Sequence, residues 1–250
     1  MIIIKTDEQL ELMRKAGRIT GESILVAREY IKEGVSTDFI DRKMREYIEK
    51  CGAKPTFLGY GGFPATACIS INDEVIHGIP DKKRFLQEGD IVKIDSGACW
   101  KGYTGDSANT FGVGKISDEA QRLIDVTKES FFKGIEMAKA GNRVGDIGNA
   151  IASYAESYGY GVVRQFEGHG VGRDLHEEPS VPNFGRQGHG PRLYKKMTIA
   201  VEPMITMGDW NVRVLDNGWT VVTLDGSLAA HYEHSIAITD GEAELLTLVE

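Results

Sequence analysis

"DIVKIDSGACWKGYTGDSANTFGVG", residues 90–114, carries two runs rich in β-branched and apolar residues, punctuated by Gly and Asp. Runs of this kind read as strands joined in hairpins. The first, "DIVKID", is apolar and closes on Asp95, and the second sets Asp106 directly after Gly105, which reads as a turn or bulge that aims the acid. A carboxylate at the end of a buried strand is costly unless it is paired. The hairpin therefore poses a question of chemistry as well as one of fold.

Working outward, "ATACISI" (65–71) and "EVIHGI" (74–79) read as further strands, and the region before them reads as helical. Thr6 with Gln9 forms a capping box, and "EQLELMRKAGRITGESILVAREYI" has apolar residues at helical spacing until Gly34 stops it. Ser36 or Thr37 starts a second helix that ends near Gly52. The same order restarts at Ser117, with helices to about Gly141 and from Val144 to about Tyr158. Strands follow near 161–166, 196–203, 211–215, 218–224, 229–239 and 243–249. Two halves of similar order, about 1–115 and 116–250, suggest a duplicated unit of helices and strands. No low-complexity linker separates them, and 1–250 reads as one domain.

The 250 residues are 41% hydrophobic, enough for a sizeable core. The formal charge is −8 and the Lys and Arg are dispersed, so no basic stripe is available for a nucleic-acid backbone. Cys51, Cys68 and Cys99 are an odd set without a CxxC pair, which argues against a disulfide framework or a cysteine zinc site and predicts a reducing cytoplasm. The apolar run "MIII" at the N-terminus is too short for a signal segment or a membrane span.

The second half supplies two more acids at comparable places. In "MTIAVEP" (197–203), period-two alternation puts Glu202 with Thr198 and Ala200, while Met197, Ile199 and Val201 face a core. In "AAHYEHSIAI" (229–238), Glu233 shares its face with Ala229, His231, Ser235 and Ala237, and Tyr232, His234, Ile236 and Ile238 take the other. "FEGHGVGRDLHEEP" (166–179) adds His169 between two glycines, which permit positive φ or a close backbone approach, and His176 seven residues later. Each acid alone reads as a turn former or surface charge, and His169 alone as a capping residue. Four carboxylates sharing one low-dielectric space, however, must be protonated or neutralised by cations. With one imidazole they make a hard, oxygen-rich set suited to two divalent ions bridged by shared carboxylates. His231 and His234 read as structural.

At these residues the chain resembles the bacterial type I methionine aminopeptidases over essentially its whole length. The stretches that carry the resemblance are "CISINDEVIHGIP" (68–80), "GDIVKIDSGA" (89–98), "GYTGDSA" (102–108), "GHGVGRDLHEEP" (168–179), "TIAVEPM" (198–204) and "NGWTVVTLDGSLAAHYEH" (217–234). The resemblance implies an α+β, pseudo-twofold pita-bread fold, a curved and largely antiparallel sheet backed by helices. It implies that Asp95 chelates one ion, that Asp106 and Glu233 bridge both, and that His169 and Glu202 complete the other. The ions would be Co, Mn, Fe or Zn. Glu202 would shuttle the proton, His176 would hydrogen-bond the carbonyl oxygen as it becomes an oxyanion, and His77 would stand near the amide beyond the cleaved bond. A methionine side chain would fill a pocket of Phe57, Tyr60, Phe63, Cys68, His77, Leu175 and Trp219.

The implied substrates are nascent polypeptides with a deformylated N-terminal methionine and a small second residue, cleaved by a cytoplasmic monomer near the ribosome, with no nucleic acid or membrane as partner. Gly61 stands where family members carry a polar residue, Leu175 replaces an aromatic found in some, and Lys195-Lys196 replaces a Pro-Gly turn. Two other readings compete. Xaa-Pro dipeptidases share the fold and ligand pattern but carry an additional N-terminal domain, for which there is no room before Thr6. A catalytically silent pita-bread protein that binds partners would be expected to have lost ligands.

Overall fold

The computed structural model describes residues 1–249. Helix α1 (Asp7–Glu29) opens on the expected capping box: Gln9 N–H donates to Thr6 Oγ1 over 3.3 Å, and Gln9 Oε1 accepts from Thr6 N–H over 2.9 Å. Helix α2 (Thr37–Lys50) is capped by Ser36, and α3 (Asp118–Ile135) by Ser117. Helix α4 (Val144–Ser157) begins where Asp146 accepts a hydrogen bond from Arg143 N–H. The expected run of α3 to Gly141 stops short at Ile135, because Ala140 N–H and Gly141 N–H donate across the molecule to Thr239 O and Leu193 O rather than back along a helix.

The described residues also form fifteen strands. They are β1 (Lys54–Pro55), β2 (Ala67–Ile71), β3 (Glu74–Ile76), β4 (Ile91–Trp100), β5 (Tyr103–Gly112), β6 (Gly161–Val162), β7 (Gly168–Gly170) and β8 (Glu177–Val181). The remainder are β9 (Thr198–Val201), β10 (Met204–Thr206), β11 (Val212–Val214), β12 (Val221–Thr223), β13 (Ala229–His231), β14 (Glu233–Ala237) and β15 (Glu244–Leu245). Nine form one antiparallel sheet in the order β1-β4-β5-β14-β9-β7-β8, with β2 also on β4 and β15 on β14. Two three-stranded sheets, β13-β10-β6 and β11-β12-β3, flank it.

The hairpin that opened the sequence reading lies inside the large sheet, between β1 and β14. Strands β4 and β5 pair without interruption from Ile91 opposite Gly112 to Trp100 opposite Tyr103. Gly105 is therefore neither turn nor bulge. A Cβ there would lie 2.6 Å from Gly17 Cα in α1, so the residue is glycine because a helix crosses the strand at backbone contact.

Both faces of the sheet follow the period-two expectation. On one side of it, Ile24 of α1 and Ile40 and Met44 of α2 pack with Ile69, Val92 and Ile94, and Phe131, Ile147 and Ile151 of α3 and α4 pack with Ile199, Val201 and Ile236. The alternate positions are left for the other face, which carries the acids. The expected strand over 229–239 is broken at Tyr232, so that β13 joins a small sheet and β14 the large one. Lys196 makes the turn into β9 with φ 68, the left-handed conformation that glycine would adopt more easily.

Candidate active site

Strand register assembles the acidic floor. Asp95 of β4 lies opposite Ala108 of β5, and Ala108 lies opposite Glu233 of β14, so the two acids flank a methyl group in one row. Asp106, opposite Gly97, is the diagonal neighbour of Asp95 on the same face. Glu202 immediately follows β9, next to Val201, which pairs with His234. His169 comes from β7, the strand beyond β9. Small residues at positions 97 and 108 leave the space into which the carboxylates project.

Of the two roles expected of the glycines beside His169, the structure uses only close approach. Neither takes positive φ; both lie in a strand. A Cβ on Gly168 would stand 2.3 Å from Ala200 O, and one on Gly170 would stand 2.2 Å from Glu178 O. They let β7 fit tightly between β9 and β8. The His169 ring is fixed as well: Nδ1–H donates to Gly170 O over 2.8 Å, leaving the Nε2 lone pair 3.6 Å from both Asp106 Oδ2 and Glu202 Oε1.

The floor is nearly dry and short of partners. Asp95, Asp106 and Glu233 are 8%, 4% and 2% exposed, and Asp95 Oδ1, Asp106 Oδ1 and Glu233 Oε1 have no hydrogen-bond partner among the described residues. Burial, and after it the nearby Asp106, holds the Asp95 carboxyl well above the usual range. Burial pushes Asp106 up to about 7, and burial followed by Asp106 raises Glu202 and Glu233 well above theirs. Burial draws His169 and His77 down to about 4, so both imidazoles are neutral near pH 7, the form that ligates metal. Donor atoms of Asp106, His169 and Glu233 lie within 4.8 Å of one another, as do those of Asp95, His231 and Glu233. Orphaned carboxylate oxygens beside neutral imidazoles are a donor set that fits divalent cations.

Above the floor opens a cavity of about 170 Å³. Phe57, Phe63, Cys68 and Leu175 form one buried apolar cluster on its wall with Trp219 packed against them, and Phe63 meets Trp219 edge to face at 5.1 Å. Tyr60 and His176 stand at the mouth, joined by a 2.6 Å hydrogen bond, and the His176 ring lies 4.2 Å from that of His169. His77 ends the strand that was expected to run to Ile79: it takes φ 58, which turns the chain after β3 and sets its ring against Phe166 and Trp219.

The cavity is thus lined by Asp95, Asp106, His169, Glu202 and Glu233 and by Phe57, Tyr60, Phe63, Cys68, His77, Leu175, His176 and Trp219, the residues named from the sequence. Ile76, Phe166 and Glu167 also line it and were not anticipated. For Phe166 and Glu167 the signal was their place just before the His169 strand. His231, read as structural, has its ring beside Asp95 and Glu233.

Comparison with known proteins agrees with this geometry. The profile of metallopeptidase family M24 matches residues 11–240. The methionine aminopeptidase of Clostridium acetobutylicum is 56% identical over 250 residues, covering 100% of both chains. The crystal structure of the methionine aminopeptidase of Thermotoga maritima superimposes with a TM-score of 0.98 at 44% identity, again over 100% of both chains, and a pita-bread fold is common to both. The prolidase of Pyrococcus furiosus is a weaker match, with a TM-score of 0.81, 26% identity and only 66% of its chain covered. This chain therefore belongs to metallopeptidase family M24, and within that family it is an enzyme of the methionine aminopeptidase group rather than of the Xaa-Pro dipeptidase group.

Proposed function

We propose that the chain removes the N-terminal methionine from polypeptides with a free α-amine and a small second residue, using two divalent ions held by Asp95, Asp106, His169, Glu202 and Glu233. The observation that carries this reading is the floor, where carboxylate oxygens are buried without partners beside the free Nε2 of His169. Asp95 would hold one ion, His169 and Glu202 the other, and Asp106 and Glu233 both. The set suits Fe, Mn, Co or Zn. When bound, such ions make water a nucleophile at neutral pH and polarise the scissile carbonyl.

The residues of the chain supply the rest. Glu202, on the floor beside His169, takes the proton of the attacking water and returns it to the leaving amine. With the Tyr60 hydroxyl donating across its 2.6 Å contact to His176 Nδ1, His176 Nε2–H would be left to stabilise the carbonyl oxygen as its charge develops. His77 faces the amide beyond the cleaved bond. The wall of Phe57, Phe63, Cys68, Leu175 and Trp219 takes up a thioether, and the free amine would sit against the ions that the acids beneath hold. On this reading residues 1–250 act as one catalytic domain of two related halves, about 1–115 and 116–250. It works as a cytoplasmic monomer on deformylated nascent chains near the ribosome. The formal charge of −8 supports a peptide rather than nucleic acid as partner, and no helix of the described residues is long and apolar enough to cross a membrane.

The test is release of free amino acid from Met-Ala-Ser, formyl-Met-Ala-Ser, Met-Lys-Ser and Leu-Pro by metal-free protein with each metal restored in turn. Met-Ala-Ser alone should be cleaved rapidly. Turnover of Leu-Pro without turnover of Met-Ala-Ser would overturn the proposal.

A further inference from the structure

Two histidines stand three residues apart around β13 and β14, and the structure treats them oppositely. His234 is satisfied: its Nδ1 lies 2.8 Å from Thr247 Oγ1 and its Nε2 lies 3.0 Å from Tyr232 Oη. His231 is just as deeply placed, at 1% exposure, yet neither of its ring nitrogens has a hydrogen-bond partner among the described residues. Its backbone is fully engaged. Thr110 accepts from His231 N–H over 2.9 Å and donates to His231 O over 2.8 Å, and Lys93 Nζ donates to Ala229 O at the start of the same strand. Only the imidazole is unoccupied, and a buried polar group left unpaired is rare in a folded protein.

What the ring points at accounts for Nε2. His231 Nε2 is 3.7 Å from Glu233 Oε2, much as His169 Nε2 is 3.6 Å from Asp106 Oδ2 and Glu202 Oε1. Donor atoms of Asp95, His231 and Glu233 lie within 4.8 Å of one another, and Asp95 Oδ1 and Glu233 Oε1 are themselves without partners. The same spacing holds for Asp106, His169 and Glu233. The floor thus has two ends, each with an aspartate and an imidazole, and Glu233 is common to both.

We propose that His231 is a metal ligand, giving the ion at Asp95 and Glu233 a nitrogen donor to match the one His169 gives the other ion. The inference rests on the dimetal reading above. A nitrogen donor at each end draws both sites toward borderline ions such as Fe, Co and Zn and away from an all-oxygen preference for Mn or Mg.

The experiment uses Co²⁺ as probe with the full chain. Metal-free wild type is titrated calorimetrically, and the loaded protein is examined by proton NMR for paramagnetically shifted imidazole N–H signals. Wild type should take up two equivalents and show two such signals, one from each histidine. His231→Gln should keep one ion near wild-type affinity, bind the other at least about tenfold more weakly, in line with the roughly 10–100-fold cost of losing even outer partners of a metal ligand, and lose one signal. His169→Gln should lose the other signal. Two ions bound by His231→Gln at wild-type affinities, or a single shifted N–H in two-cobalt wild type, would overturn the proposal; the second readout needs no variant to fold. Uptake of fewer than two ions by wild type would overturn the dimetal reading and this proposal with it, an outcome distinct from the other two because they leave wild type with two.

Discussion

The floor of the cavity is held by strands and its mouth by turns. Asp95, Asp106, His169 and Glu233 stand on β4, β5, β7 and β14, and Glu202 directly follows β9. The side chains of His169 and Glu202, the most accessible of the five, are 12% exposed. At the mouth, Tyr60 is 43% exposed and sits in a short turn, His176 lies in the bend before β8, and Trp219 is half-buried in the turn before β12. Strand pairing fixes the relative positions of the acids through many backbone hydrogen bonds, so it can hold like charges together at an electrostatic cost. The turns carry no such burden. They present groups that meet a substrate, where small shifts change fit rather than the machinery itself. Floor residues should therefore govern whether the reaction happens, and mouth residues how well and on what.

The sharpest way to break that division is His169→Ala, which should abolish release of methionine from Met-Ala-Ser even at saturating metal. His189→Ala, in the exposed loop that bonds back to Gln187 O, should leave the rate unchanged. Equal activity in the two variants would remove the floor's special status. Next in size is His176→Ala. Bound metal should be retained while kcat falls roughly 10²–10³-fold, the loss typical of one oxyanion donor, and metal analysis beside the kinetics checks both halves of the expectation. A variant that lost its metal would move His176 from the mouth to the floor.

Smaller again is truncation of the wall. Trp219→Ala should raise KM and narrow the preference for Met-Ala-Ser over Leu-Ala-Ser by about 10- to 100-fold in kcat/KM, the range of a poorly filled apolar pocket. A fall in kcat alone would contradict a role in side-chain fit. The smallest effect concerns metal-free stability. Asp106, at an ordinary 3.8 in an unfolded chain, is pushed to about 7 by burial, so the folded state binds its proton more tightly. Its contribution is present in acid and is lost as pH rises from about 4 through about 7. Buried His77 and His169, drawn down to about 4, contribute the opposite slope, so the readout is a difference: the Tm of metal-free wild type minus that of metal-free Asp106→Asn should fall across that window. A difference that rose with pH would show that Asp106 is not crowded.

Much of this was legible in the sequence because it depends on local signals. Thr6, Ser36 and Ser117 cap the helices they announce, and the alternation in "MTIAVEP" places Glu202 opposite the core residues Met197, Ile199 and Val201. What escaped depends on tertiary contact. Gly105 reads as a turn until α1 is seen to cross it at Gly17, and β7 reads as a glycine turn until β8 and β9 are seen to enclose it. Period-two alternation put His231 on the face of Glu233. On the other face Tyr232 and Thr247 reach His234. The same alternation makes Tyr232 legible there, but Thr247 lies outside the segment, and no pattern within it shows that the His231 ring goes without a partner.

The close fit of β7 also bears on how this chain can vary by descent. Gly168 and Gly170 bring no side chain to the site, yet carbonyl oxygens lie 2.3 and 2.2 Å from where a methyl group would be. Even alanine at either position must part neighbouring strands and carry His169 away from Asp106 and Glu202. In a library of all single substitutions screened for growth dependent on this enzyme, the two glycines should tolerate as few replacements as the histidine between them, while Tyr60 and Trp219 admit several. The region of sequence closed to drift is thus wider than the set of atoms that do chemistry, and its width is set by the spacing between strands.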